Sequence, residues 1–561
     1  MPIYVLASQS EALWQRARRE TAVPRANDAT DTRGEHWILS VRDANARQLA
    51  AERGWLTADA LLGDAFPSMD GIHCVQGTLD ARRITCYWVQ GLKLGERELV
   101  SGAADVIWTD QRESLDAVRH LINAKTLVRG LEALPECDVP RFLSRDVDGA
   151  LRLRMAAGTH ARIEPPQRVV VIGAGIAGAL VAAQLQERGV KTQVIDAAPV
   201  AGAGASALAA GLVHPHWQLH DNPLFRLTRL GFRRLLPLLA EAAELFSPCG
   251  VLDVAQNAEE WAKWQDATDR ALPMRLPVEF ASLLSAEEFA QQMGWSVPAG
   301  GWWYPCAGLL NAGAFARHLL ARSGALLRTN CRVTKLEQTP QGWCVRGRYG
   351  EVLADADAVV LCTAMGTPAL LGLSEQRLGI SALAGRISLL SRAPAELSRV
   401  AAENVALTGR GYFAKVGDAL SLVGATYERA EGALTAREAE AHNMALLEEL
   451  LPGSAAEQLA TGAFYQGVRA VAQDRLPFVG AAPTAASIAG TTFKGLPESD
   501  RVPTPEGLWL CTAMGSRGLT WGVAAAEALV GLMMGTPLLM ERSLLRLLHP
   551  ARFLRKSLVR S

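Results

Sequence analysis

The sequence has no charge excess, no paired cysteines and no long uncharged apolar run. Its 57 Lys and Arg balance 57 Asp and Glu. Bulk charge therefore gives no pull toward nucleic acid, and any such binding must come from a local patch. Nine cysteines, at 74, 86, 137, 249, 306, 331, 344, 362 and 511, form no Cys-x-x-Cys pair. That spacing argues against a structural zinc site or a disulfide framework and fits a reducing compartment. No metal-ligand cluster and no Ser–His–Asp set with local context occurs either, so neither a metal centre nor a hydrolase is expected. The N-terminus, MPIYVLASQSEALWQRARR, lacks the basic-then-apolar order of a secretory signal. The most apolar late stretch, Trp521–Met540, is interrupted by Glu527 and by glycines. It reads as a buried helix with its exit turn, not a membrane span. A cytoplasmic protein with no membrane partner is expected.

What is present is a full complement of core residues. Apolar residues make up 49% and charged residues 20% of 561, which excludes global disorder. The sharpest break is Ile163-Glu-Pro-Pro-Gln167, two prolines before an apolar run, as a linker precedes a new domain. Residues 163–561 read as one α/β unit and 1–162 as a separate small α/β region. In the latter, Arg42–Arg53 and Glu113–Leu134 suggest helices, and Arg83–Val89 and Asp105–Trp108 suggest strands. No glycine-rich loop of the GxGxG type occurs there.

Directly after the break, Arg168–Ile172 (RVVVI) is β-branched enough for a buried parallel strand. It runs into Gly173-Ala174-Gly175-Ile176-Ala177-Gly178, a helical pattern closed by Gly189, and a second strand ending in Asp196. Gly173 permits the tight turn, Gly175 admits a pyrophosphate, and Gly178 lets the helix pack on the strand. The helix N-terminus offers partial positive charge, and Asp196 can accept from a ribose hydroxyl. A dinucleotide site follows, and the motif alone does not choose between FAD and NAD. Two later segments favour FAD: a strand with a small-residue turn, Asp357–Gly366 with Thr363 and Gly366 at its end, and a strand, glycine turn and helix start, Gly507–Leu519. A helix N-terminus in the latter would suit a reduced, anionic flavin.

Gly204-Ala205-Ser206 with Ala210–Pro215 then resembles the second flavin segment of D-amino-acid-oxidase-type (DAO) flavoproteins, and more narrowly the oxidoreductase half of the MnmC family of bifunctional tRNA wobble-uridine modification enzymes. The resemblance continues through Gly301–Pro305 with Leu310-Asn311, Gly424–Tyr427, Val468-Arg469 with Asp474–Gly480, Gly515–Leu519 and Leu548–Phe553. It covers nearly all of 165–561. In part it reaches the N-terminal region, where Pro67–Cys74, Arg83–Trp88 and Ala104–Asp110 follow the order of the family's methyltransferase half. The glycine-rich S-adenosylmethionine loop is missing, and Asp110 is followed by QRESL where the family has a Gly-Phe and proline-rich stretch. The resemblance therefore implies a degenerate methyltransferase-like region at 1–162 and a Rossmann-type FAD domain with a mixed-sheet substrate domain at 163–561. The dinucleotide segments would be about 167–215, 325–366 and 505–530, and the substrate domain mainly 220–320 and 375–480.

The same resemblance implies oxidative removal of the carboxymethyl group from 5-carboxymethylaminomethyl-uridine at the tRNA wobble position, leaving an aminomethyl group. Methyl transfer would be absent from this chain, and a separate methyltransferase would act on the product. FAD is implied at Gly173, Gly175, Ile176, Ala177, Gly178, Asp196, Ser206, Gly211, Val333, Thr363, Gly366, Gly515, Ser516, Gly518 and Leu519. Arg469 is implied as the anchor for the substrate carboxylate, because a guanidinium matches it with two parallel hydrogen bonds. Tyr427, whose hydroxyl would lie near that carboxylate, Tyr304 and His214 are further candidates, and Arg517 with Ser516 in the last flavin loop would approach the flavin ring or the substrate. Ala384-Gly385-Arg386 departs from the family's Arg-Gly-Gln. For tRNA, Arg226, Arg229, Arg233 and Arg234, and the run Arg552, Arg555, Lys556 and Arg560, are the basic clusters. Two other readings stay open: an amine or amino-acid oxidase for a small glycine-like substrate, and a non-catalytic FAD-containing tRNA-binding protein.

Overall fold

A computed structural model describes the backbone of eight strands between residues 2 and 153, and then residues 165–217, 222–269, 280–294, 296–391, 404–416, 420–429, 434–454, 462–489, 491, 502–536, 538 and 540–554. The chain divides into two compact units, Met1–Pro166 with Glu527–Leu545 and Gln167–Ala526 with Arg546–Ser561.

In the first unit the eight strands form one sheet. Its order is Gly71–Leu79, Arg82–Gln90, Glu35–Ser40, Pro2–Val5, Val106–Trp108, Leu127–Arg129, Leu151–Leu153 and Leu143–Arg145. The five strands from Arg82–Gln90 to Leu127–Arg129 run parallel. The expected strands at 83–89 and 105–108 are present within one residue of their limits. The expected helix over Glu113–Leu134 is corrected, because Leu127–Arg129 is a strand paired in parallel with Val106–Trp108. The helix expected at Arg42–Arg53 lies outside the described residues.

The second unit has two main sheets. The first is Leu326–Arg328, Lys191–Ile195, Arg168–Ile172, Ala358–Leu361, Leu508–Thr512 and Phe478–Ala481, parallel except for the last strand. Its central strands are buried almost throughout, as Val169–Ile172 and Ala358–Leu361 show. A strand covered on both faces needs such a continuous apolar run. Phe478–Ala481 was expected to end the substrate domain. It instead closes this sheet as an antiparallel edge, with Phe478 buried in the same core as Val170, Leu361 and Leu510.

Helix α1 (Ile176–Gln186) follows the first strand, and nine of its eleven residues are buried. It has no polar face because it is enclosed, which is why the sequence shows no amphipathic stripe there. The second sheet runs Ser282–Leu284, Gly301–Tyr304, Val251–Val254, Asn404–Thr408, Tyr412–Val416, Leu420–Gly424, Ile380–Leu390 and Phe464–Ala472. It is antiparallel apart from the pair Val251–Val254 and Asn404–Thr408. Its core holds Leu252, Phe289, Phe413, Val423 and Leu447. Among the described residues no helix is long and apolar enough to cross a membrane.

Candidate active site

A cavity of about 2400 Å³ extends from the glycine turn at Gly173–Ala177 to the substrate-side sheet. The turn is built as its sequence requires. Gly173 has φ +107°, and a Cβ there would stand 2.5 Å from the Cys362 carbonyl oxygen. A Cβ on Gly178 would fall on the Gly173 carbonyl oxygen, so only glycine lets α1 approach its strand. Asp196 ends the second strand. Its carboxylate accepts from Ala174 N–H (2.5 Å) and Ala198 N–H (2.7 Å). It orders the glycine turn and, with about four acceptor positions in all, keeps capacity for a ligand hydroxyl. Ser206 Oγ accepts from Ile176 N–H at 3.1 Å, taking one of the orphan amides at the start of α1.

The long-range segments converge on the same cavity. Val333, Thr363 and Gly366 line it, as do Gly515, Ser516, Gly518 and Leu519. The strand Ala358–Leu361 delivers Thr363 beside the glycine turn through Cys362 N–H to Ile172 O at 2.8 Å. Ala364 N–H then donates to Thr512 Oγ1 (3.1 Å), tying the two later segments together. A Cβ on Gly211 would meet Leu519 Cδ1 at 2.6 Å, so these two expected residues face each other. All the expected flavin residues line the cavity except Gly178, which serves packing. Close-approach glycines, a helix N-terminus and a hydroxyl-accepting acid are what a dinucleotide requires, and the residues fit FAD.

Arg469 lies on Phe464–Ala472, opposite Leu383 of Ile380–Leu390. Its strand is joined to the loop before α4 (Gly518–Met534) by Gly515 N–H donating to Ala470 O at 3.0 Å. This join carries Arg469 and Arg517 to one site, 48 positions apart in sequence. Arg469 Nη1 is buried without a hydrogen-bond partner, and so is the Tyr412 hydroxyl. Both residues line the cavity. The Arg469 Cζ stands 5.0 Å over the Tyr427 ring, and Tyr427 is 59% exposed. Tyr427 therefore offers its ring to the guanidinium, while the buried phenol is Tyr412, which the sequence did not single out. Burial raises the Tyr412 phenol, and the Arg469 charge partly opposes this.

Tyr304 does not line the cavity. It is 1% exposed, and its hydroxyl accepts from Trp217 N–H at 3.1 Å, which makes it a structural residue. His214 does line the cavity. Burial lowers it to about 4, and lowers the neighbouring His216 to about 3. Both imidazoles are thus neutral near pH 7, and the positive charge of the cavity comes from its arginines, Arg469, Arg475 and Arg517 among them. Burial likewise depresses Arg517, with Tyr427 and Asp253 favouring its charged form. Asp253, another residue not singled out, is pushed up to about 7 by burial. Its one available signal was an acid inside the apolar strand Val251–Val254. Gly385 was noted for its unusual neighbours. A Cβ there would stand 2.6 Å from Arg469 Nη1 and 2.7 Å from Thr426 O, so it leaves the room that the guanidinium occupies. Arg386 turns aside to Leu434 O (2.6 Å) and Glu428.

The basic clusters do not form as expected. Arg229 on helix α2 (Pro223–Glu241) is 6% exposed, with its guanidinium 5.1 Å over the Phe225 ring. The four arginines of α2 therefore do not present one solvent-facing row. Arg552 pairs with Asp474 through two bonds of 2.8 and 2.9 Å and lies over Phe478 and Phe553. It is a packing residue, and Arg555, Lys556 and Arg560 lie outside the described residues. Among the described residues no group of His, Cys, Asp and Glu could hold a metal ion.

Residues 168–532 match the family described as FAD dependent oxidoreductase, DAO. The chain is 35% identical over 405 residues to the tRNA 5-methylaminomethyl-2-thiouridine biosynthesis bifunctional protein MnmC of Azoarcus sp. (strain BH72), covering 69% of this chain and 60% of that protein. It is 34% identical over 434 residues to the protein of the same description from Cupriavidus necator, covering 73% and 64%. The chain thus spans less than two thirds of the length of these relatives. Among solved structures, glycine oxidase from Geobacillus kaustophilus aligns with a TM-score of 0.51 at 21% identity, over 66% of this chain and 95% of that one. Iminodiacetate oxidase from Chelativorans sp. BNC1 aligns with a TM-score of 0.50 at 22% identity, over 66% and 96%. These two likenesses concern the fold.

Proposed function

The chain belongs to the FAD-dependent oxidoreductase (DAO) family, and on that premise we propose that it oxidises a secondary amine bearing a carboxymethyl group, the modified wobble uridine of tRNA. The observation that carries the reading is the pair of buried, unpartnered polar groups in one cavity, Arg469 Nη1 and the Tyr412 hydroxyl. An unsatisfied buried donor costs about 1–3 kcal/mol, and more when charged. A carboxylate is the ligand that would satisfy both. Bound FAD supplies the chemistry of the oxidation by accepting a hydride from the carbon between the amine and the carboxylate.

The residues orient rather than react. Arg469 holds the carboxylate, the Tyr427 ring holds the guanidinium, and the neutral imidazoles of His214 and His216 add no charge. Loss of the hydride leaves a C=N bond on the substrate. Water adds to it, and the C–N bond breaks to give the aminomethyl nucleoside and glyoxylate. The likeness to the MnmC proteins supports tRNA as the carrier of the amine. No methyl transfer is assigned to Met1–Pro166.

The test is anaerobic mixing of the holoprotein with tRNA bearing 5-carboxymethylaminomethyl-uridine and, separately, with glycine and sarcosine. Bleaching of the oxidised-flavin absorption by the tRNA, with formation of an aminomethyl nucleoside, is expected. Bleaching by the free amino acids alone would move the substrate to a small glycine-like amine.

A further inference from the structure

We propose that the lobe of the cavity where Trp217 meets Trp264 is a stacking site for the nucleobase that carries the amine. The proposal rests on the tRNA reading and specifies how that site would recognise its substrate. Its first ground is size. A cavity of about 2400 Å³ exceeds the roughly 300–1,000 Å³ of a pocket for a drug-sized ligand. A cavity of that size is suited to more than one ligand group.

The second ground is what lines that room. Trp217 and Trp264 both line the cavity, the latter on helix α3 (Ala258–Asp269). Their ring centroids are 6.4 Å apart at an interplanar angle of 76°, which makes an aromatic corner. Trp217 is held firmly. Its ring stacks on Trp302 at 4.6 Å and 24°, and its backbone N–H donates to Tyr304 Oη at 3.1 Å. A rigid aromatic wall costs a ligand little ordering entropy.

The third ground is reach. Trp217 lies three residues beyond His214, whose carbonyl accepts from Thr520 Oγ1 (3.2 Å) in the first turn of α4. Three residues span at most about 10 Å. The corner therefore lies close to the loop that carries Arg517. In the proposed substrate a single methylene separates the amine nitrogen from the pyrimidine ring, so the ring must lie this close to the reacting carbon.

Charge decides between base and phosphate. The lobe is also lined by Asp253, Glu259 and Glu260, and its cations Lys263 and Arg410 are already paired, with Glu259 at 2.7 Å and with Glu449 at 3.2 Å. Acids repel a phosphate backbone, whereas a neutral base offers π faces to tryptophan.

The experiment uses full-length FAD-loaded protein, Trp264→Ala and Trp264→Phe, with two probes: the modified tRNA and free 5-carboxymethylaminomethyl-uridine. Flavin bleaching is followed against probe concentration, with flavin content and thermal midpoint as controls on folding. Base–aromatic stacking is worth a factor of about 5 to 150. Trp264→Ala is expected to raise the half-saturating concentration of both probes by that factor while the limiting rate changes less than about twofold. Trp264→Phe is expected to recover most of the loss. An unchanged half-saturation in Trp264→Ala with flavin retained, or no recovery in Trp264→Phe, would overturn the stacking site and leave the tRNA reading standing. A wild-type protein bleached by sarcosine and by neither probe would overturn both.

Discussion

Removing Arg469 tests the carboxylate anchor most directly. Its Nη1 is buried and unpartnered, so in Arg469→Ala the protein itself loses no hydrogen bond there. The substrate loses a charge-assisted pair. Hydrogen bonds to charged groups are worth about 1.5–3 kcal/mol, which is roughly a 10- to 150-fold loss in kcat/KM. Arg469→Lys keeps the charge without the fork and should fall between. Gly385→Ala provides an independent route to the same outcome. Its new Cβ would stand 2.6 Å from Nη1 and 2.7 Å from the Thr426 carbonyl oxygen. Both contacts are closer than a Cβ tolerates, so the guanidinium must move as well as the backbone beside it, and a loss comparable to that of Arg469→Ala is expected with Arg469 still present. The assay is anaerobic stopped-flow bleaching of the flavin against substrate concentration, with flavin content measured on each variant. Wild-type kinetics in Arg469→Ala with full flavin content would refute the anchor. A normal Gly385→Ala beside a defective Arg469→Ala would refute the packing argument alone.

Three further outcomes are expected. Gly178→Ala places a methyl on the Gly173 carbonyl oxygen, so the purified protein should emerge with little flavin, measured as the ratio of flavin to protein absorbance. Asp253 gains its charge as pH rises through about 7. Below that pH Arg517 lacks this counter-charge when it acts on an anionic substrate, and above it the new anion opposes Arg517. The half-saturating substrate concentration should therefore rise through that window, and Asp253→Asn should flatten the profile. Arg552→Ala should destabilise rather than weaken tRNA binding. Breaking the Asp474 pair should cost about 3 kcal/mol, the low end for a buried pair because Asp474 stays partly exposed. Thermal unfolding set beside a tRNA titration separates the two effects.

The flavin end of the site was legible because its requirements are local. Gly173, Gly178 and Asp196 act on backbone within one strand–turn–helix–strand unit, and the turn leaves few alternatives to glycine. The family resemblance carried the distant segments, Thr363–Gly366 and Gly515–Leu519, to the same place. Tyr412 and Asp253 were not legible. Each stands in an ordinary strand pattern, YFAKV or VLDV, where an aromatic or a single acid reads as core or as a solvent face. Their meaning depends on which strands pair across the substrate-side sheet, and no local spacing encodes that.

The basic clusters failed for the complementary reason. Helical spacing put Arg226, Arg229, Arg233 and Arg234 near one another, but spacing does not say which face of α2 the protein covers. Phe225, Leu227, Phe232 and Leu235 are buried, and the face they define takes Arg229 inward with them. The aliphatic stem of an arginine packs well against apolar surface, and its planar head lies well on a ring. Arg552 repeats the pattern over Phe478 and Phe553. A guanidinium next to aromatics is thus as much a packing element as a phosphate ligand. The same contact at Arg469 and Tyr427 has a different consequence because Arg469 lines the cavity and keeps a buried Nη1 there with nothing in the protein to bind it. Arg386 also lies over a ring, that of Phe464, and its Nε is also buried without a partner, but it does not line the cavity and its Nη1 is bound to Leu434 O. An unpartnered donor and a place on the cavity wall together, not the charge or the motif, mark Arg469 as the arginine that awaits a ligand.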